Sequence, residues 1–301
     1  LNLSIFGFGA LWSPWFFGFV MFVTFVFFWV TVFLPSRYGR EALITRKQGV
    51  YFVVAMITLY AVKGSPVDLF GHIMFSAHMT QMAILYLIIP PLLIRSIPNA
   101  LWMYVFQVKW LNKFFRFFTK PIMALLLFNV VFSVYHIPMI FDAVKISPSL
   151  HITYTIVLFM LAMFMWWPLW NTYSEEQQLT GIKKVGYIFA SGVLLTPACA
   201  LIIFADTPLY GTYSNFTMWT QAMALCVSED ALAGLNLTGP ELFNTMPLVD
   251  DQQLGGVLMK IIQEVVYGII LAKIFFEWFR KETEKEGDPI LSYDSNKLVE
   301  E

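Results

Sequence analysis

Residues 14–34 read PWFFGFVMFVTFVFFWVTVFL, twenty-one positions without a single charge. The hydrocarbon core of a bilayer takes about 20 mostly apolar residues as one helix, and this run matches that length. Six further runs of similar character lie at roughly 48–63, 72–94, 121–137, 149–170, 185–205 and 255–279. The run at 121–137, about 17 residues, sits at the short limit for a span. Ser65-Pro66-Val67-Asp68 has the pattern of a capping box with Pro at the first helical position. Pro121 and Ser147-Pro148 open the fourth and fifth spans in the same way. No signal-peptide pattern precedes the first run, so it is read as a retained span. The chain is therefore predicted to be all-α: a polytopic membrane protein, a bundle of about seven transmembrane helices forming a single domain over 1–301.

Composition agrees. Hydrophobic residues make up 58% of the chain and charged residues 13%, against about 25% charged in a soluble domain. Thirty Phe and ten Trp suit lipid contact and interfacial anchoring. A net charge of −1 gives no case for nucleic acid as a partner; the lipid bilayer is the expected surrounding. Cys199 and Cys226 are too few for a disulfide framework.

Lys and Arg set the expected orientation. With seven spans, one side owns the connections 35–47, 95–120 and 171–184 and the tail after 272, and these carry 16 of the 19 basic residues. The other side has only Lys63, Lys145 and Lys260. The positive-inside rule then places the N-terminus outside and the C-terminus in the cytoplasm. Within 95–120, Trp102, Phe106, Lys109, Trp110, Lys113, Phe114 and Phe117 mix aromatics with cations, as in a helix lying at the inner interface. The outer connection 206–254 is acidic (Asp206, Glu229, Asp230, Glu241, Asp250, Asp251), and its stretch 216–228 is too short to cross.

The four histidines, His72, His78, His136 and His151, all fall on the expected outer side. Ionisable residues in spans are costly and usually face the protein interior or a wet cavity. On one continuous helix at about 100° per residue, with His72 at 0°, Met79 falls near −20°, Met82 near −80° and His78 near −120°. Met74, at about −160°, would stand at the edge of that face. The segment GHIMFSAHMTQM (71–82) would then turn imidazoles and thioethers in one direction, a donor set that favours copper, especially Cu(I). His136 and His151 flank the hairpin 137–150, within reach of each other across it. The predicted metal ligands are thus His72, His78, Met79, Met82, His136 and His151.

Asp68, one turn before His72, could orient an imidazole or simply cap a helix. Glu264, in the outer half of the last span, is either functional or the ion-pair partner of Lys260. Asp251 suits the positive end of the last helix. Either cysteine could ligate copper, or the two could pair. Nucleotide-binding loops, C-x-x-C, H-E-x-x-H and G-x-S-x-G are all absent.

Lys63-Gly64-Ser65-Pro66 to Asp68, GHIMFSAHMTQM, Tyr135-His136-Ile137-Pro138, His151, Met165-Trp166-Trp167-Pro168 and Asp251-Gln252-Gln253-Leu254-Gly255-Gly256 together resemble the multi-span CtaG proteins of Bacillus-type bacteria. The resemblance runs over about residues 5–280. It implies a non-enzymatic factor of the cell (plasma) membrane that assembles caa-type cytochrome c oxidase, with an oxidase subunit as partner and copper as the handled ion. The family pattern falls here on His72, Met74, His78, Met79, Met82, His136, His151, Asp251 and Gln252. Asp68, Glu264, Asp251 and Gln252 are the candidates for supporting the ligands. Alternatives stay open: an intramembrane zinc hydrolase using three histidines with Asp68 or Glu264 as base, haem on an axial pair such as His72 and His136, or copper transport. A homo-oligomer is equally admissible.

Overall fold

Proline and small polar residues set the helix starts. Thr45 caps Arg46–Lys63 (α2) in a reciprocal box with Gln48. Ser65 accepts a hydrogen bond from the Val67 amide to start Pro66–Ile73 (α3). Pro121, Pro138 and Pro148 stand first in Pro121–Tyr135 (α7), Pro138–Lys145 (α8) and Pro148–Trp170 (α9), where the missing N–H costs nothing. In the computed structural model, the residues described are 3–174, 178–227, 232, 239, 243 and 245–294. Glu229, Asp230, Glu241 and Lys297 lie outside the described residues.

The protein is an all-α polytopic membrane protein. Among the described residues, five helices are long and apolar enough to cross a bilayer: Gly7–Arg37 (α1), Phe75–Ser96 (α4), α9, Ile182–Ile203 (α10) and Leu248–Arg280, the first part of Leu248–Asp294 (α13). Two bent pairs, each counted as one span, bring the number up to seven: α2 with α3, at 44°, and Lys109–Phe118 (α6) with α7, at 72°. Asn99–Phe106 (α5) precedes α6. Beyond α10 come two short helices, Gly211–Ser214 (α11) and Phe216–Met223 (α12). α12 packs on α3, with Trp219 and Met223 buried beside Leu69 and Ile73.

One expectation needs correction. The run 72–94 is not one helix: Met74 is extended (φ −123°, ψ 131°) and separates α3, which carries His72, from α4, which carries His78, Met79 and Met82. His72 therefore belongs to the bent continuation of α2, and a single helical wheel over 72–82 does not describe these side chains. The cause is a cap supplied from far along the chain. Asp251 accepts from the Phe75 amide (2.7 Å), the Ser76 amide (3.3 Å) and the Ser76 hydroxyl (2.5 Å). These are orphan donors of a helix N-terminus, and a carboxylate there also meets the positive end of the helix dipole.

α13 packs along α10 and along the first half of α4; α2 packs on the last part of α4, and α7 lies on α9 and α10. Close approach of α13 depends on two glycines. A Cβ on Gly255 would lie 2.7 Å from the Phe75 ring, and one on Gly256 would lie 2.7 Å from Ile203. Several buried polar side chains in the spans find their partners within the bundle, as a bilayer favours. Trp166 donates to the Tyr86 carbonyl (2.9 Å), Tyr187 to the Met165 carbonyl (2.8 Å), and Ser191 bonds Tyr267 (2.9 Å). The first span α1 is peripheral and turns Trp15 (93% exposed), Phe22 and Phe25 outward, as a lipid-facing helix does.

Candidate metal site at one end of the bundle

Each histidine arrives on a different element: His72 near the end of α3, His78 in the first turn of α4, His136 as the residue closing α7, and His151 in the first turn of α9. His78, His151 and Met82 line one closed cavity together with Lys63, Gln81, Tyr86, Tyr135 and Thr155. Its volume is about 10 Å³, close to the minimum for one water molecule and far below that of a drug-sized ligand site. His78 and Met82 share a face because they are four residues apart. The buried Nδ1 of His151 has no hydrogen-bond partner, and the Tyr135 hydroxyl is 3.5 Å from His78 Nε2.

His72 joins this group from the side, its ring 5.7 Å from that of His151. Among the described residues this is the one imidazole pair in ring contact. Lys145, fully buried at the end of α8, places its Nζ 3.3 Å from His72 Nδ1 and 3.3 Å from the Gly71 carbonyl. The Gly71 carbonyl can only accept, so Nζ donates to it, whereas the roles in the contact with His72 depend on the imidazole tautomer. Burial brings Lys145 down to about 7. The Tyr213 hydroxyl also donates to the Gly71 carbonyl (2.6 Å).

Behind His72 stands a second donor group. One ligand atom each of Asp68, His72 and Cys226 lie within 4.8 Å of one another. The Cys226 thiol points at Asp68 Oδ2 (3.6 Å), and burial, with Asp68 adding to it, raises that thiol well above its ordinary range. Asp68 Oδ1 is held by Lys63 (2.5 Å) and Gln81 (2.6 Å). Asp68 thus organises the polar cluster rather than orienting an imidazole directly.

The remaining predicted residues separate. His136 is fully buried in a box of Phe132, Tyr135 and Phe141. Its Nδ1 donates to the Phe132 carbonyl (2.8 Å), its carbonyl accepts from Tyr210 (2.9 Å), and its Nε2 has no partner. Met79 packs toward Gly255 on α13 and does not line the cavity. Gln252 accepts from the Leu209 amide (2.7 Å), and Asp251 is the cap of α4; both hold architecture. Glu264 is 63% exposed and pairs with Lys260 at 2.8 Å, in a groove between α10 and α13 that no histidine lines. Cys199 and Cys226 are both free thiols.

Sequence reasoning passed over Lys145, Gln81, Tyr135 and the position of Cys226. Gln81 and Tyr135 do sit inside the quoted motifs. Lys145 carried a weaker signal, as one of only three basic residues away from the basic side.

The fold and site define a multi-pass membrane protein that gathers imidazole, thioether and thiol donors at one end of its bundle. The family model described as "Cytochrome c oxidase caa3 assembly factor (Caa3_CtaG)" matches residues 25–281, and the chain belongs to that family. No curated protein and no solved structure matches the chain.

Proposed function

We propose that this assembly factor binds copper as its cargo, as Cu(I), at the cavity of His78, His151 and Met82, and passes it to an oxidase subunit at the extracytoplasmic face. The observation that carries this reading is the cavity itself, with two imidazoles, one thioether and an unpartnered His151 nitrogen around space for one ion. Thioether is a soft donor that favours Cu(I), imidazole suits copper as well, and both are neutral, exchangeable ligands of the kind delivery needs. His72, Lys145 and the Asp68–Cys226 pair form the flank of the site. In that arrangement a buried cation beside His72 weakens the hold on copper and favours release.

The test is copper stoichiometry on reduced, purified protein. The unmodified chain should retain about one Cu(I), and His78→Ala and His151→Ala should each lose most of it. Full retention by both variants would contradict the reading. In cells, the same variants should leave caa3 oxidase short of copper.

A second reading is favoured by one observation, the proximity of Asp68, His72 and Cys226. Mixed O, N and S donors suit zinc. Zinc in place of copper by elemental analysis, lost in Cys226→Ser, would select it.

A further inference from the structure

The end of α7 away from His136 carries a different kind of surface. α6 (KWLNKFFRFF) meets α7 at 72°, so it lies across the end of a span rather than along it. At about 100° per residue its side chains fall on three faces. Leu111, Phe115 and Phe118 turn into the bundle, where Phe115 meets the Trp167 ring at 4.8 Å and Phe118 the Phe164 ring at 5.8 Å. Trp110, Phe114 and Phe117 form an exposed aromatic face. Lys109, Lys113 and Arg116 form the third, also exposed.

That cationic face is one wall of an open depression of about 680 Å³, whose lining includes Lys109, Lys113, Arg116, Phe117, Lys120 and Pro121. Among the described residues no acidic side chain lines it, and the sequence has no Asp or Glu anywhere from 69 to 141. The Lys120 ammonium lies 5.5 Å from the centre of the Phe117 ring, which ties the cationic wall to the aromatic one.

We propose that this depression seats the headgroup of an anionic phospholipid of the surrounding bilayer, with its acyl chains running down the aromatic face of α6. Three observations choose a lipid. The cations stand at the junction of an interfacial helix with a span, where phosphates of a bilayer lie. An exposed aromatic face of Trp110, Phe114 and Phe117 adjoins them, apolar surface that acyl chains can cover. The depression is large enough for a headgroup, and basic pockets beside spans bind such headgroups. The seat would fix α6 at the membrane surface, and through α7 the position of His136.

The experiment is native mass spectrometry of the full chain in detergent, titrated with phosphatidylglycerol or phosphatidylcholine. The unmodified protein should retain phosphatidylglycerol about tenfold better, given that each surface cation contributes appreciably to anionic-lipid binding. K109Q/K113Q/R116Q/K120Q should bring the two lipids near parity. R37Q/R40Q/R46Q/K47Q, which removes four cations elsewhere, should keep the preference. If the first variant does not fold, K113Q/R116Q serves in its place: a severalfold fall supports the seat and no change overturns it. Equal retention of both lipids by the unmodified chain overturns it, as does equal loss of preference in both four-residue variants. Displacement of the lipid by inorganic phosphate would reassign the site to a free anion and overturn it as well.

Discussion

At the scale of single residues, Lys145 sets the character of the site. Its Nζ sits 3.3 Å from His72 Nδ1, and in its protonated form a like charge there disfavours a bound cation. Lys145→Met should therefore raise Cu(I) affinity by roughly tenfold or more, with little structural penalty because Tyr213 still serves the Gly71 carbonyl. Competition against a colorimetric Cu(I) chelator measures this; weaker binding in the variant would show that Lys145 supports the site instead. Met79→Leu should leave copper stoichiometry unchanged, since that thioether packs toward Gly255, whereas Met82→Leu should reduce it. The sequence made the scarcity of histidines visible but not their pairing. His72 meets His151, while His136, expected to face His151 across the hairpin, is boxed by Phe132, Tyr135 and Phe141. Rotamers and ring neighbours of this kind come from tertiary packing, which no local pattern encodes.

At the scale of elements, the break at Met74 shapes everything near it. Nothing in GHIMFSAHMTQM punctuates a helix, because Met is a good helix former. The stop is imposed by Asp251, 176 positions from Phe75. Asp251→Ala would leave the Phe75 and Ser76 donors buried without partners, at about 1–3 kcal/mol for each unsatisfied group. The thermal midpoint in detergent should fall clearly, and Asp251→Asn should fall less. An unchanged midpoint in Asp251→Ala would mean the break does not depend on the cap. Gly255→Ala should cost about 1–3 kcal/mol through overpacking, because the Phe75 ring it would strike is itself stacked on Tyr210 at 4.6 Å. The run DQQLGG was legible as a motif, yet its work is architectural: Asp251 caps, Gln252 ties Leu209, and the glycines admit α4 and α10.

At the scale of the whole molecule, hydropathy and prolines made the spans readable, since burying a polar backbone in lipid leaves helices as the natural solution. The bent pairs were less readable, because length and composition cannot distinguish one straight span from two helices meeting at 44° or 72°. The uneven distribution of Lys and Arg predicts that a reporter fused after residue 294 is active only in the cytoplasm and that a tag before residue 3 is accessible from outside. The reverse result would put the histidines at the wrong face for delivery. The pair Lys260–Glu264, exposed on α13, should be dispensable: Glu264→Gln should leave copper content unchanged.

The most direct measurement of the central claim is copper K-edge X-ray absorption on the reduced, copper-loaded protein. The account predicts a first shell of imidazole nitrogen with a sulfur contribution that disappears in Met82→Leu, and a copper signal that falls away in His78→Ala. A protein that emerges from loading without copper, or a copper shell lacking imidazole, would contradict it.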